Sequence, residues 1–128
     1  MKYGTISRST TQPESGFKFT RQGYEIYISY IDPDTIKEIE INDSEQKRTE
    51  YEYVQYSYYG PIMSYEELVN KSILLKYSIE KELSLMAKAI IDIQNPEYLV
   101  YREYVNLCKQ ECSNNYLELG LIKEKIEL

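Results

Sequence analysis

Apolar residues recur along the chain with two different periods, and the change between them occurs at Gly60-Pro61. Before this point the period is near two, as in a strand with one buried face, and after it the period is near 3.6, as in a helix. No internal repeat or low-complexity linker separates the two parts. The pattern predicts a single domain over residues 1–128, β-rich over 1–60 and helical over 61–128.

Strict alternation in the first part predicts strands. From residue 24 to 30 every second side chain is apolar, which predicts a strand with one inner face. That inner face consists of Tyr24, Ile26, Ile28 and Tyr30. Further strands are predicted at 17–20, around Ile39 and Ile41, and at 49–59, with a turn at Asp32-Pro33-Asp34 and a polar loop over 42–48. The connections are too short for crossovers, so the predicted sheet is an antiparallel meander.

Capping signals and apolar stripes predict helices in the second part. Ser64 and Glu67 have the spacing of a capping box, which predicts a helix from Tyr65 to about Lys76. Ser78 offers a second cap, and the pattern is compatible both with a break at Tyr77-Ser78 and with a continuous helix. Beyond it, steps of four and three residues form one apolar stripe. The stripe consists of Ile79, Leu83, Met86, Ile90 and Ile93.

The last clear helix begins at Asn95, which is followed by proline and an acidic residue. Its apolar stripe consists of Tyr98, Tyr101, Val105, Cys108 and Cys112. Asn114-Asn115 is predicted to end it. The tail over 116–128 predicts a short helix after Gly120 or a strand up to Leu119, with the helix preferred. The fold class is therefore α+β: an N-terminal antiparallel β-meander and a C-terminal antiparallel helical unit that packs on one face of the sheet.

The charge pattern argues against two classes of partner. The net charge is −6 and the sequence pI is about 4.8. Residues 1–60 carry 7 basic and 10 acidic side chains, and residues 61–128 carry 8 and 11, so each half has a net charge of −3. Nucleic acids and anionic membranes are bound mainly through clustered lysine and arginine, so neither is expected as a partner. A segment of about 20 apolar residues, which a transmembrane helix needs, is absent from the sequence.

The sequence offers little catalytic chemistry. It contains no histidine, the commonest general base and metal ligand. Cys108 and Cys112 lie four residues apart on one helical face, a spacing that disfavours a disulfide and predicts buried free thiols in a reducing compartment. No phosphate loop, nucleophile elbow or metal signature is recognisable. We therefore expect no enzymatic activity, no cofactor and no metal, and a cytoplasmic or virion-associated location.

The stretch YEYVQYSYYG, residues 51–60, has five tyrosines and allows three interpretations. Sugar stacking is the least favoured, because carbohydrate sites usually also contain tryptophan, which the sequence lacks. Codon bias in an AT-rich genome and cross-strand tyrosine pairs within a sheet would explain it without a binding function. Alternatively, one face of the strand is an exposed aromatic surface for self-association or for a protein partner. Alternation places Val54, Tyr56 and Tyr58 on the inner face. The candidate interaction surface on the outer face is Tyr51, Tyr53 and Tyr59.

The segment KYSIEKELSLMAKAI, followed by NPEYLVYREYVNLCKQEC, resembles the C-terminal segment of small uncharacterised proteins encoded by phages and prophages of gut bacteria. The similarity covers roughly residues 65–112 and concerns helical spacing. The matching residues are Glu67-Leu68-Val69, Lys76-Tyr77-Ser78, Glu82-Leu83, Pro96-Glu97-Tyr98, Tyr101, Tyr104 and Cys108-Lys109. The chain departs from the pattern at Met86-Ala87-Lys88, where these proteins are often richer in arginine and glutamine. The resemblance implies a phage or mobile-element origin and an interaction role, with no catalytic residues.

Three functional hypotheses follow. The first is a non-enzymatic interaction or assembly protein, with self-association into an oligomer as one form of that role. The second is an acidic inhibitor that blocks a host nucleic-acid-binding protein, which would need carboxylates aligned on one surface. The third is a small hydrolase or transferase without histidine. An exposed apolar patch would favour the first, an acidic stripe the second, and a deep pocket with converging acids the third.

Overall fold

The chain forms an antiparallel sheet followed by helices, which confirms the predicted α+β class. The structure is a computed structural model that describes residues 4–43, 46–117 and 119. Its strands are β1 (Gly4–Ser9), β2 (Gly16–Gln22), β3 (Glu25–Ile31), β4 (Lys37–Asp43) and β5 (Gln46–Pro61). Its helices are α1 (Tyr65–Lys76), α2 (Ile79–Ile91) and α3 (Pro96–Asn115). The helix predicted after Gly120 lies outside the described residues.

The long strand β5 organises the sheet. β1 pairs with one side of it over Tyr51–Tyr56, while β3 and β4 share its other side over residues 55–61 and 46–52. β3 and β4 therefore follow one another along β5, and β2 lies outside β3. A turn of 3₁₀ helix, Pro33–Thr35, separates β3 from β4 along the chain. There the amide of Val54 donates to Thr35 Oγ1 (2.9 Å) and its carbonyl accepts from the Asp32 amide (3.2 Å), so the interruption leaves neither group unpaired.

Several local details differ from the sequence-based predictions. β1 was not predicted, because GTISRS has no alternation that marks an inner face. The predicted loop over 42–48 is largely strand, since Asn42 pairs with Lys47 and residues 43 and 46 continue the ladder. Tyr24 is 86% exposed, because it occupies the β2–β3 turn instead of the inner face. Gly23 precedes it with φ of +61°, a conformation that favours glycine in a two-residue hairpin turn.

The core lies between the inner face of the sheet and helices α1 and α3. Ile26 and Ile28 of β3 are 0% exposed, as the predicted alternation requires. The buried apolar residues of the helices that join them are Leu68, Val69, Ile73, Leu75, Leu85, Tyr101, Tyr104, Cys108 and Cys112. Tyr104 was not part of the predicted stripe of α3, whereas the predicted members Tyr98 and Val105 are half-buried and pack against the core.

The predicted helix starts are confirmed by side-chain caps. The hydroxyls of Ser64 and Ser78 accept from the backbone amides of Glu67 (3.2 Å) and Lys81 (3.1 Å), and Asn95 Oδ1 accepts from the Tyr98 amide (3.2 Å). Each cap satisfies an amide that has no partner within its helix. Between α1 and α2, Tyr77 is extended (φ −122°, ψ 126°), so the helix breaks at Tyr77-Ser78.

An enclosed ion pair joins the sheet to the end of α1. Lys76 Nζ lies 2.8 Å from Asp32 Oδ2, and the two side chains are 19% and 7% exposed. The ammonium group also lies 5.2 Å from the ring centre of Tyr104 and 5.8 Å from that of Tyr30. The pair is largely shielded from water, so each charge depends mainly on the other for compensation.

Removing the carboxylate of this pair should destabilise the protein strongly. Asp32→Ala leaves the Lys76 ammonium enclosed without a counter-charge and is expected to lower the free energy of unfolding by about 3 kcal/mol. The measurement is urea denaturation at pH 7. Glu52→Ala, which breaks the more exposed Arg8–Glu52 pair, is the matched control and should cost less than about 1 kcal/mol. Equal, small losses for both variants would contradict the structural importance of the Asp32–Lys76 pair.

Candidate functional site: an outer tyrosine face and an exposed helical stripe

The tyrosines of β5 divide between the two faces of the sheet. Tyr56 and Tyr58 pack against the core, as predicted, and the ring centre of Tyr56 lies 6.4 Å from that of Tyr30. Val54 shares their parity but is half-buried and outside the core cluster. On the outer face, Tyr59 is 55% exposed, whereas Tyr51 and Tyr53 are half-buried.

The three outer tyrosines do not form one continuous aromatic surface. Tyr51 and Tyr59 are eight residues apart, roughly 27 Å along an extended strand. A polar zone lies between them, where Ser57 pairs with Ser29 and Gln55 Nε2 donates to Ser29 Oγ (2.8 Å). The outer face therefore has aromatic groups at two ends of the strand, with a hydrogen-bonded polar middle.

The Tyr59 end of this face forms a shallow cavity. Tyr27 lies opposite Tyr59 in the register, and with Thr20, Gln22 and Glu25 these residues line a space of about 260 Å³. A hydrogen bond with the Glu25 carboxylate raises the pKa of Tyr59. Two tyrosine rings beside a carboxylate acceptor can receive an apolar group together with a hydrogen-bond donor.

Helix α2 presents its apolar stripe to solvent. The exposed fractions are 62% for Ile79, 62% for Leu83, 47% for Met86, 87% for Ile90 and 55% for Ile93. Ile93 lies just beyond the end of the helix. The stripe of α2 therefore does not pack on the sheet, unlike the buried residues of α1 and α3.

The opposite side of α2 holds it to α3. Leu85 is the buried residue of α2, at 1% exposure. It lies on another side of the helix, about 100–160° around the axis from the four stripe residues within α2. Tyr101 Oη donates to Glu82 Oε1 (2.6 Å), and burial together with this bond raises the pKa of Tyr101. Lys88 Nζ lies 2.9 Å from Glu97 Oε1 and lowers the pKa of Glu97.

The contacts between α2 and α3 determine the orientation in which the stripe is exposed. They include a buried leucine, a charge-assisted hydrogen bond and the ion pairs of Lys81 and Lys88 with Glu97, all on the side of α2 that faces α3. They fix the rotation of α2 about its own axis, since turning the helix inward would break all of them. The stripe is therefore exposed in a defined orientation, because another side of α2 is bound to α3.

Two features of the sequence predict α2, but neither indicates what its apolar stripe contacts. The uninterrupted four-three spacing from Ile79 to Ile93 marked an apolar stripe. The Ser78 cap marked where the helix begins. The periodicity gave no indication of whether the sheet or the solvent faces the stripe, because both arrangements produce the same pattern.

Comparison of the chain with protein-family models, with curated proteins and with solved structures found no match. Among the described residues, no helix is long and apolar enough to cross a membrane. Within the same residues, no three aspartate, glutamate or cysteine side chains converge in a way that could hold a metal ion.

The two cysteines are free thiols on the buried face of α3, each 0% exposed. Burial raises the pKa of Cys108 to about 12 and that of Cys112 to about 11. Ser72 Oγ lies 3.6 Å from the sulfur of Cys112, and the Ser72 hydroxyl also donates to the carbonyl of Leu68 (2.8 Å). Both thiols therefore stay protonated in the folded protein at neutral pH.

These raised pKa values predict a loss of stability at alkaline pH. Above the ordinary thiol pKa of 9.0, the unfolded chain loses protons that the folded chain keeps up to about pH 11. The unfolded state then binds fewer protons, so the free energy of unfolding falls as pH rises, by up to about 1.4 kcal/mol per pH unit for each thiol.

The measurement is urea denaturation at several pH values between 8 and 11. The double variant Cys108→Ala/Cys112→Ala should show a shallower decline than the unmodified protein. The buried tyrosines contribute equally to both proteins, so the difference in slope isolates the thiols. If the unfolding free energies of the two proteins decline equally with pH, burial does not raise the pKa values of the thiols.

Proposed function

We propose that the chain is a non-enzymatic protein–protein interaction or assembly protein. The observation that carries this proposal is the exposed apolar stripe of α2. The largest apolar patch on a soluble monomer, typically about 300–600 Å², is often a functional site. Here a rigid support fixes the stripe, since the far side of the helix is bonded to α3.

The apolar side chains gain stability when a partner covers them. Each aliphatic side chain that is fully removed from water contributes about 1.5–3 kcal/mol. Leu83 and Ile90, at 62% and 87% exposure, have most of that contribution still available. A polar stripe would leave the cap of α2 and its contacts with α3 unchanged. The apolar stripe residues are therefore not needed to hold α2 in place.

The outer tyrosines are a second proposed contact surface, for a protein partner. Tyr59 and Tyr27, at 55% and 37% exposure, are accessible, and their cavity combines aromatic rings with the carboxylate of Glu25. Tyrosine is enriched at interfaces because it supplies a large, rigid surface and a polar tip. In this proposal Tyr51 and Tyr53 contribute at the far end of the same face.

An acidic inhibitor of a nucleic-acid-binding protein is less well supported. Glu50 and Glu52 of β5 and Glu97 of α3 each have a basic partner within the chain. Paired and dispersed carboxylates make a weak imitation of a phosphate backbone. The proposed phage or mobile-element origin rests on the resemblance over residues 65–112.

Photo-crosslinking in cells that carry the gene tests the role of the stripe. A photo-reactive amino acid in place of Ile90 should give a discrete protein adduct, with this chain or with another protein. The same residue in place of Ile6, which is 72% exposed on β1, is the control and should give none. If Ile90 and Ile6 behave alike, the stripe is not an interaction surface and the proposed function loses its support.

The tyrosine surface has its own test. A photo-reactive residue in place of Gln22, which lines the cavity beside Tyr59, should capture a partner protein. The triple substitution Tyr51→Ser, Tyr53→Ser and Tyr59→Ser should abolish this adduct and lower the unfolding free energy by about 1–2 kcal/mol through lost cross-strand contacts. An adduct that survives the triple substitution in a folded protein would exclude these tyrosines as the contact.

A further inference from the structure

We propose that the α2 stripe binds a second copy of this chain, with the two α2 helices packed antiparallel about a two-fold axis. This inference rests on the proposed interaction function and names the partner of the same surface. It draws on three features of α2: the spacing of its exposed apolar residues, the distribution of charge beside them, and the area that they offer.

The spacing is that of a coiled-coil seam. Steps of four, three and four residues place the four stripe residues within α2 alternately at the two core positions of a heptad repeat, and Ile93 lies beyond the end of the helix. A globular helix that packs on a sheet usually needs a wider apolar stripe than this. A narrow seam on an exposed helix fits the groove of another helix, and the simplest such helix is the same one in a second copy.

The charges beside the seam favour an antiparallel pair. Glu80 flanks its N-terminal half, whereas Ala87 and Ala89 flank its C-terminal half. The nearby Glu82 carboxylate is bonded to Tyr101 of α3. A parallel pair would place the Glu80 carboxylates of both copies at the same end. In an antiparallel pair each Glu80 lies beside an alanine of the second copy, and helix termini of opposite partial charge become neighbours.

The symmetry of the seam supports the same arrangement. A two-fold axis between Leu83 and Met86 places Ile79 opposite Ile90 of the second copy, and Leu83 opposite its Met86. Every contact then occurs twice, as an isologous interface requires. The small side chains of Ala87 and Ala89 allow the two backbones to approach closely. Lys81 and Lys88 lie on the far side, where each is within 4.0 Å of Glu97, so the seam buries no lysine.

The area of the seam sets the strength of the dimer. Taking an aliphatic side chain as roughly 100 Å², the five stripe residues expose on the order of 300 Å² of apolar surface per copy. With its flanks the pair buries less than the roughly 1,200 Å² typical of the smallest stable interfaces. The dimer should therefore be weak and reversible, and should appear as a concentration-dependent equilibrium. It should tighten as salt screens the −6 charge of each copy.

Analytical ultracentrifugation of the purified protein at several concentrations and two salt concentrations tests the dimer. The unmodified chain should show a monomer–dimer equilibrium, and Ile90→Glu should weaken it by more than about tenfold, because each dimer would bury two carboxylates. Ile91→Glu is the matched control: Ile91 is 89% exposed, next in the chain to Ile90, but outside the seam. It should leave the equilibrium within about threefold of the unmodified protein, as expected for a surface substitution.

The direction of the helices is tested by disulfide formation between separately prepared Ile79→Cys and Ile90→Cys proteins. The native thiols are buried and should not compete. An antiparallel pair should give predominantly mixed disulfides between the two proteins, whereas a parallel pair would give disulfides between identical proteins and would overturn the proposed orientation.

Failure of the dimer is distinguishable from failure of the proposed function. A chain that stays monomeric at millimolar concentration, while Ile90 still forms a crosslink to another protein in cells, overturns the second copy as the partner and leaves the interaction role intact. A monomer in which Ile90→Glu lowers the melting midpoint well below that of Ile91→Glu means that the stripe is covered within its own chain, which overturns both.

Discussion

The ion pair between Lys76 and Asp32 is the constraint on which the arrangement of the helices depends. It lies where three elements meet: the interruption between β3 and β4, the last turn of α1, and Tyr104 of α3. Because the pair is largely enclosed by aromatic rings, moving α1 along the sheet would separate two charges in a medium that compensates them poorly. The position of the α1 C-terminus relative to the sheet is therefore fixed.

The break after α1 follows from that position. Once Lys76 is held, Tyr77 lies against α3, with its ring centre 5.0 Å from that of Tyr101 and 5.5 Å from that of Tyr104. Its extended backbone ends α1 and turns the chain, and Ser78 begins α2 in the new direction. Since α1 and α3 already cover the inner face of the sheet, α2 packs on α3 through Leu85. Its apolar stripe consequently faces away from the core.

The sequence predicted those features that depend on local physical chemistry. Helix starts at Ser64, Ser78 and Asn95 were predictable because a cap is formed within three or four residues. The burial of Ile26 and Ile28 was predictable because alternation in a strand with one covered face has few alternative meanings. The change of period at Gly60-Pro61 coincided with the end of β5.

Features that depend on distant residues were not predictable in the same way. β1 is a strand because it pairs with residues of β5 that lie 42 or more positions later in the chain. The sequence of β1 itself carries no corresponding signal. The two collinear strands β3 and β4 look like the arms of a hairpin until the register along β5 is known. Tyr104 is buried because Phe17 and Tyr30 lie against it, with ring centres 5.9 Å and 5.2 Å away.

The two candidate surfaces show why abundance of a residue type is a weaker guide to function than the environment of each residue. β5 contains five tyrosines, yet Tyr56 and Tyr58 pack against the core and the outer tyrosines are separated by a polar zone. The stripe of α2 looked like an ordinary core-facing pattern, and its exposure makes it the stronger candidate. An amphipathic helix specifies that something apolar must cover one face. Whether the cover is the chain's own sheet or another molecule is decided by whether that sheet is already occupied, and here α1 and α3 occupy it.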